Sequence, residues 1–181
     1  MPKIKGTLLS IAKQWIKEKG KEEEILASLP PKTKVIFENP IPTKFYEIKL
    51  INPLLEAMVK IIGKGNEAIL NEYGAYEAER ISKTYMRFLL KFVTPEGLIK
   101  RIPIFSKRNF TPGYIKINQL KKGYAVVSLC EFKGGKLFCP LITGRLRRTL
   151  EIIGAKEIEV RETKCIYRTK DDHCEWEIKW K

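Results

Sequence analysis

The chain has 181 residues, the size of one domain with one core. Apolar residues make up 44% and charged residues 31%, too apolar a mixture for intrinsic disorder, while 22 glycines and prolines are too few for collagen-like or low-complexity sequence. No apolar run approaches the roughly 20 residues that span a bilayer, so the chain reads as soluble, and nothing at its start, MPKIKGTLLS, reads as an export signal.

Lysine and arginine exceed acidic residues by 35 to 21, a net charge of +14. Residues 1–90 hold 15 basic and 11 acidic side chains, 91–148 hold 13 and 2, and 149–181 hold 7 and 8. A basic stretch such as Lys91 to Arg148 attracts nucleic acid, anionic lipid or an acidic protein. A solvated surface on a thermophile-like chain rich in lysine, glutamate and isoleucine explains it equally.

In chain order, Leu8, Ile11, Ala12, Trp15 and Ile16 recur at helical spacing and predict an amphipathic helix over 7–19. A short helix over 21–29 ends at Pro30-Pro31, and 30–46 read as an irregular or extended connection. Leu54, Leu55, Met58, Val59 and Ile62 predict another helix, closed by Gly63. A longer one follows from Asn66 to about Phe92, broken near Lys83, with Ile69, Tyr73, Tyr76, Ile81, Tyr85, Phe88 and Leu89 turned inward. Pro95 permits one more start. Gly74, Ala75 and Ala78 are small enough for close packing, within the chain or across a homodimer.

After Pro112 the period changes to two, with strands over 114–120 and 123–132 and a turn at Lys133-Gly134-Gly135-Lys136. Ile142, Leu146, Leu150 and Ile153 restore helical spacing over 138–153, with Gly154 at the C-cap position. Strands around Ile158–Val160 and Cys174–Trp180 finish the chain, the last joined to a segment over 165–169 by the turn Lys170-Asp171-Asp172-His173. The expected architecture is α+β: N-terminal helices on a C-terminal antiparallel sheet of about four strands with one inserted helix. Residues 1–181 form a single domain, mainly helical over 1–110 and sheet over 111–181.

The four cysteines, Cys130, Cys139, Cys165 and Cys174, form no CxxC pair. An intracellular chain keeps them reduced, as buried thiols, metal ligands or a reactive site. Strand alternation places Glu162 in phase with Ile158 and Val160, and an inward carboxylate needs a partner. Cys139, Glu162, Cys165 and Cys174 are thus able to converge as three thiolates and a carboxylate around tetrahedral zinc, with ordinary core thiols as the alternative.

The stretches Cys139-Pro140-Leu141-Ile142-Thr143-Gly144, Leu150-Glu151-Ile152-Ile153-Gly154-Ala155, Val160-Arg161-Glu162-Thr163-Lys164-Cys165 and His173-Cys174-Glu175-Trp176-Glu177-Ile178 resemble the C-terminal signature of 4-vinyl reductase domains, over about 45 residues. The resemblance implies a small-molecule-binding or sensor domain, often dimeric, distantly related in fold to haem nitric-oxide-binding domains and TRAPP subunits. It also implies zinc held by Cys139, Glu162, Cys165 and Cys174. The chain departs from the pattern in a longer turn before Cys174 that lacks a glycine, and in Cys130, which competes with Glu162 as fourth ligand or stays inert. A site closed by four protein ligands is structural, with no position for activated water.

The single histidine, His173, sits in a polar turn and reads as solvent-exposed and a poor haem ligand, so haem is not expected to carry over. Its solitude also removes most acid–base and Ser-His or Cys-His mechanisms, and phosphate-binding glycine motifs are absent, so catalysis is not indicated. Phe92, Phe105, Tyr114, Tyr124 and Phe138 flank the helix-to-sheet transition and are the candidate lining of an apolar pocket, or else part of a filled core. The sequence thus points to a cytoplasmic, dimeric, zinc-clipped domain that binds or senses a small hydrophobic molecule. The rival is a basic adaptor or nucleic-acid-associated protein acting through Lys91 to Arg148.

Overall fold

Helix α1 (Gly6–Glu18) turns Leu8, Leu9, Ala12, Trp15 and Ile16 into the interior, as its spacing predicts. The computed structural model describes residues 1–85 and 93–181. Helix α2 (Glu22–Ser28) is followed directly by α3 (Pro31–Glu38), which corrects the expected irregular connection. Proline at the first helical position loses no helical hydrogen bond and presets φ. Phe37 and Thr33 anchor α3, the latter by a 2.8 Å hydrogen bond from its hydroxyl to the Leu50 carbonyl.

Helix α4 (Asn52–Ala57) runs on into a wider π-type turn over Met58–Ile62. Helix α5 (Ile69–Tyr85) continues unbroken through Lys83, where a break was expected. Phe88, Leu89 and Phe92 lie outside the described residues. Short helices α6 (Pro95–Ile99) and α7 (Ile102–Lys107) lead to the sheet region, the first capped by the Thr94 hydroxyl accepting from Gly97 N–H.

Three short strands, β1 (Lys3–Lys5), β2 (Phe45–Glu47) and β3 (Phe110–Thr111), form a small antiparallel sheet in the order β2-β1-β3. Segments of two or three residues carry no readable period, which is why the sequence does not announce them. The main sheet follows the expected α+β plan. Strands β4 (Tyr114–Lys121), β5 (Tyr124–Cys130), β6 (Glu159–Lys164) and β7 (Cys174–Lys179) pair antiparallel in the order β4-β5-β7-β6, and helix α8 (Phe138–Ile152) is inserted between β5 and β6. The segment expected as a strand over 165–169 is a turn, because β6 ends at Lys164 after a register shift.

One face of this sheet is apolar. Ala125, Val127 and Leu129 of β5 and Trp176 and Ile178 of β7 are buried beneath α8, whose Leu141, Ile142, Leu146 and Leu150 face them. Trp176 Nε1–H donates to Thr143 Oγ1 at 2.9 Å, tying the sheet to that helix. Helices α5 and α8 cross at two glycines. A Cβ on Gly74 would run into the Leu141 carbonyl, and one on Gly144 into the Asn71 carbonyl, so the backbones touch where neither residue has a side chain. Gly74 and Ala78 are therefore occupied within the chain, whereas Ala75 is half-buried. No helix among the described residues is long and apolar enough to cross a membrane.

Candidate metal centre and cavity

Three elements and the turn after β6 bring Cys139, Glu162, Cys165 and Cys174 together. Cys139 opens α8, Glu162 faces inward from β6, Cys165 follows that strand and Cys174 begins β7. Their ligand atoms all lie within 4.8 Å of one another, and Cys139 Sγ is 3.6 Å from both Cys165 Sγ and Cys174 Sγ. Sulfurs at about 2.3 Å from a tetrahedral zinc stand about 3.8 Å apart, so the cysteine spacing matches the edges of such a site.

Glu162 completes the donor set. Its Oε2 accepts from Arg168 at 2.6 Å, while Oε1 is buried without a hydrogen-bond partner among the described residues. A buried carboxylate oxygen with no donor is costly, and here it faces three sulfurs, a set that suits a borderline-soft divalent cation. The backbone of Tyr167 and Arg168 favours the Cys165 thiolate, and that of Ile166 the Cys174 thiolate. Thr169 Oγ1 accepts from Cys165 N–H at 2.8 Å, so the glycine-free turn still folds tightly. Arg168 also bonds Glu67 at 3.2 Å, and Lys136 pairs with Glu67 at 3.1 Å.

The thiols perturb one another. The contact with Cys174, then burial and the Glu162 carboxylate, push the Cys139 thiol far up, while the same contact holds Cys174 down. Burial raises Cys165.

Cys130 stands apart. On β5 it alternates with the inward Leu129 and faces the opposite side of the sheet, beside Tyr114. His173 is not the exposed turn residue expected: its side chain is only 20% exposed, with Nε2 buried 3.7 Å from Glu175 Oε2, because the turn folds it against the sheet's outer face.

On the inner face, a mainly apolar cavity of about 120 Å³ lies between α5, α6, α7, β4 and α8. Its walls include Leu98, Ile102, Phe105, Ile115, Ile142 and Leu146. Of the sequence candidates, Phe105 lines it. Tyr114 and Tyr124 point to the outer face, where Tyr124 donates to Glu177 at 3.1 Å, since odd and even residues of a strand face oppositely. Phe138 packs edge-on against Phe132 at 5.4 Å, and Phe92 lies outside the described residues.

The sequence reading missed two groups. Arg145 borders the cavity and pairs with Glu77, which is 1% exposed and accepts from Tyr73 Oη–H at 2.6 Å. A charged residue within the Ile142, Leu146 and Thr149 stripe is the signal that pointed to it. Arg168 lies in an irregular turn, where no period reveals a partner. Among the described cavity residues none is a histidine, cysteine, methionine or tyrosine, so they offer apolar walls to a haem but no axial donor.

No family model matches the chain, and no curated protein sequence matches it. Solved structures do. An H-NOX protein from S. oneidensis in the Fe(II)NO ligation state superposes with a TM-score of 0.76 at 15% identity, over 98% of this chain and 99% of that one. The Fe(II) unliganded H-NOX protein from K. algicida gives 0.74 at 12%, over 98% and 97%. A point mutant of T. tengcongensis H-NOX gives 0.65 at 15%, over 98% of each. These likenesses correct the expectation of no haem. Several solved structures of this fold are described with Fe(II), and a lone histidine in a turn is no ground for setting haem aside. The sequence resemblance named this fold as a distant relative; over nearly its whole length, the chain adopts the H-NOX fold.

Proposed function

We propose that the chain is a single non-catalytic domain that binds or senses a small hydrophobic molecule, with zinc held by Cys139, Glu162, Cys165 and Cys174. The apolar cavity between the helices and the main sheet carries the ligand reading. The H-NOX fold supports it, since solved structures of that fold are described with NO or CO on Fe(II), and so does the resemblance of the C-terminal stretches to 4-vinyl reductase domains. The unpartnered Glu162 oxygen among three sulfurs supports the metal reading. Zinc there would supply a closed structural clip between α8 and the β6–β7 end of the sheet.

The test is native mass spectrometry and metal analysis of the purified protein, followed by haemin titration read by absorbance. About one zinc per chain and a bound small hydrophobic molecule are expected. A Soret band saturating at about one haem per chain would identify that guest as haem. A metal-free protein of undiminished stability removes the zinc, and failure to take up any apolar guest removes the ligand reading.

A further inference from the structure

The surface of α6 and α7 breaks the charge pattern of the rest of the chain. Elsewhere exposed cations stand beside carboxylates, as Arg80 with Glu18, Arg148 with Glu79 and Arg161 with Glu177. Residues 97–130 hold seven lysines and arginines and no acidic residue. Lys100, Arg101, Lys107 and Arg108 are exposed, and none of them forms an ion pair among the described residues. Between the two helices Lys100 and Arg101 keep right-handed helical angles, and the N–H groups of Ile104 and Phe105 donate to the Arg101 carbonyl at 3.1 and 3.2 Å. Helical spacing therefore holds through the joint. It puts the four cations at i−4, i−3, i+3 and i+4 of Ile104, its neighbours on a helix surface. Ile104 stands among them 58% exposed.

In water this arrangement is unfavourable twice over, because the cations repel one another and the isoleucine stays wet. A soluble polyanion relieves only the repulsion. An anionic bilayer relieves both, since its headgroups neutralise the cations while an apolar side chain enters the boundary between headgroups and acyl chains. We propose that the outer face of α6 and α7 docks on an anionic lipid membrane, with Lys100, Arg101, Lys107 and Arg108 on the headgroups and Ile104 inserted between them. The opposite side of α7, Ile102 and Phe105, lines the cavity, which docking brings within a helix thickness of the bilayer. The docking goes beyond the ligand reading and holds whether or not the cavity takes a guest.

Flotation of the full chain with vesicles tests it, comparing phosphatidylcholine alone with phosphatidylcholine and phosphatidylserine at about three to one. A net charge of +14 draws the chain to any anionic surface, so the decisive comparison is between two variants of equal charge. Lys107→Gln/Arg108→Gln takes two cations from the face, and Lys17→Gln/Lys32→Gln takes two exposed lysines from α1 and α3. The first is expected to weaken binding to the mixed vesicles about 30-fold, at about fivefold per cation, and the second by less than about threefold. Ile104→Ser, which leaves the charge unchanged, should weaken it about threefold or more. Ile104→Trp reports insertion directly: its emission shifts to the blue on the mixed vesicles and not on phosphatidylcholine alone. Equal losses for the two double variants, or a Trp emission that stays as in water, overturns the proposal. Binding to duplex DNA that depends on Lys107 and Arg108, with vesicle binding unchanged by Ile104→Ser, assigns the face to nucleic acid and overturns it too. Absence of any vesicle binding overturns this inference and leaves the ligand reading of the cavity standing.

Discussion

Glu162 is where the physics of a single residue speaks most directly. Its position on β6 turns it toward the core, and the structure gives one oxygen to Arg168 and leaves the other facing Cys139, Cys165 and Cys174. Cys165→Ser is expected to lose most bound zinc and to lower the melting temperature well beyond the change for Cys130→Ser, which sits half-buried on the other face and should stay within about 0.5 kcal/mol. Equal melting temperatures would remove that ranking. Arg168→Ala should weaken zinc by about tenfold or more in a competition titration, because the guanidinium orients the carboxylate and offsets part of the charge of three thiolates and one carboxylate. Strand alternation marks Glu162 as inward but leaves the cysteines open between ligands and core thiols; the resemblance is what joins the four as a set, and their side chains do converge. Arg168 was not legible in the sequence, since a turn imposes no such rule.

Among the elements, α5 and α8 make the closest contact, and two glycines permit it. Gly144→Ala should cost about 1–3 kcal/mol in denaturant unfolding, since a methyl there meets Asn71 backbone that has nowhere to move. An unchanged midpoint would show that the helices separate more easily than their packing implies. The long helices and the four main strands were legible because each presents several periods of apolar residues. Helix α3 was hidden by its prolines, and β1, β2 and β3 by their brevity. The cavity was legible as a region and not as a residue list: alternation in β4 and β5 sends Tyr114 and Tyr124 outward, and only pairing of the strands reveals which parity faces the helices.

At the scale of the whole molecule, zinc bound at this cluster would join parts of the chain that are distant in sequence. Removing zinc with a strong chelator should lower the melting temperature by several degrees, reversibly on adding zinc back, because binding energy at a structural site is folding energy. The pH dependence has a definite sign. Burial and the contacts within the cluster hold Cys139 and Cys165 protonated without metal, so loading releases protons and acidification weakens binding. Zinc content should fall as pH is lowered further below the ordinary thiol range. A content independent of pH would mean that thiolates do not hold the ion.

Helix α8 serves all of these at once. Cys139 stands at its head, Gly144 rests on α5 about 7 Å further along, and the cavity wall runs beside it to Thr149. A guest in the cavity would press on α8 beyond Gly144, where Arg145, Leu146 and Thr149 line it, while Lys156 holds the following segment to Lys181 by two backbone hydrogen bonds.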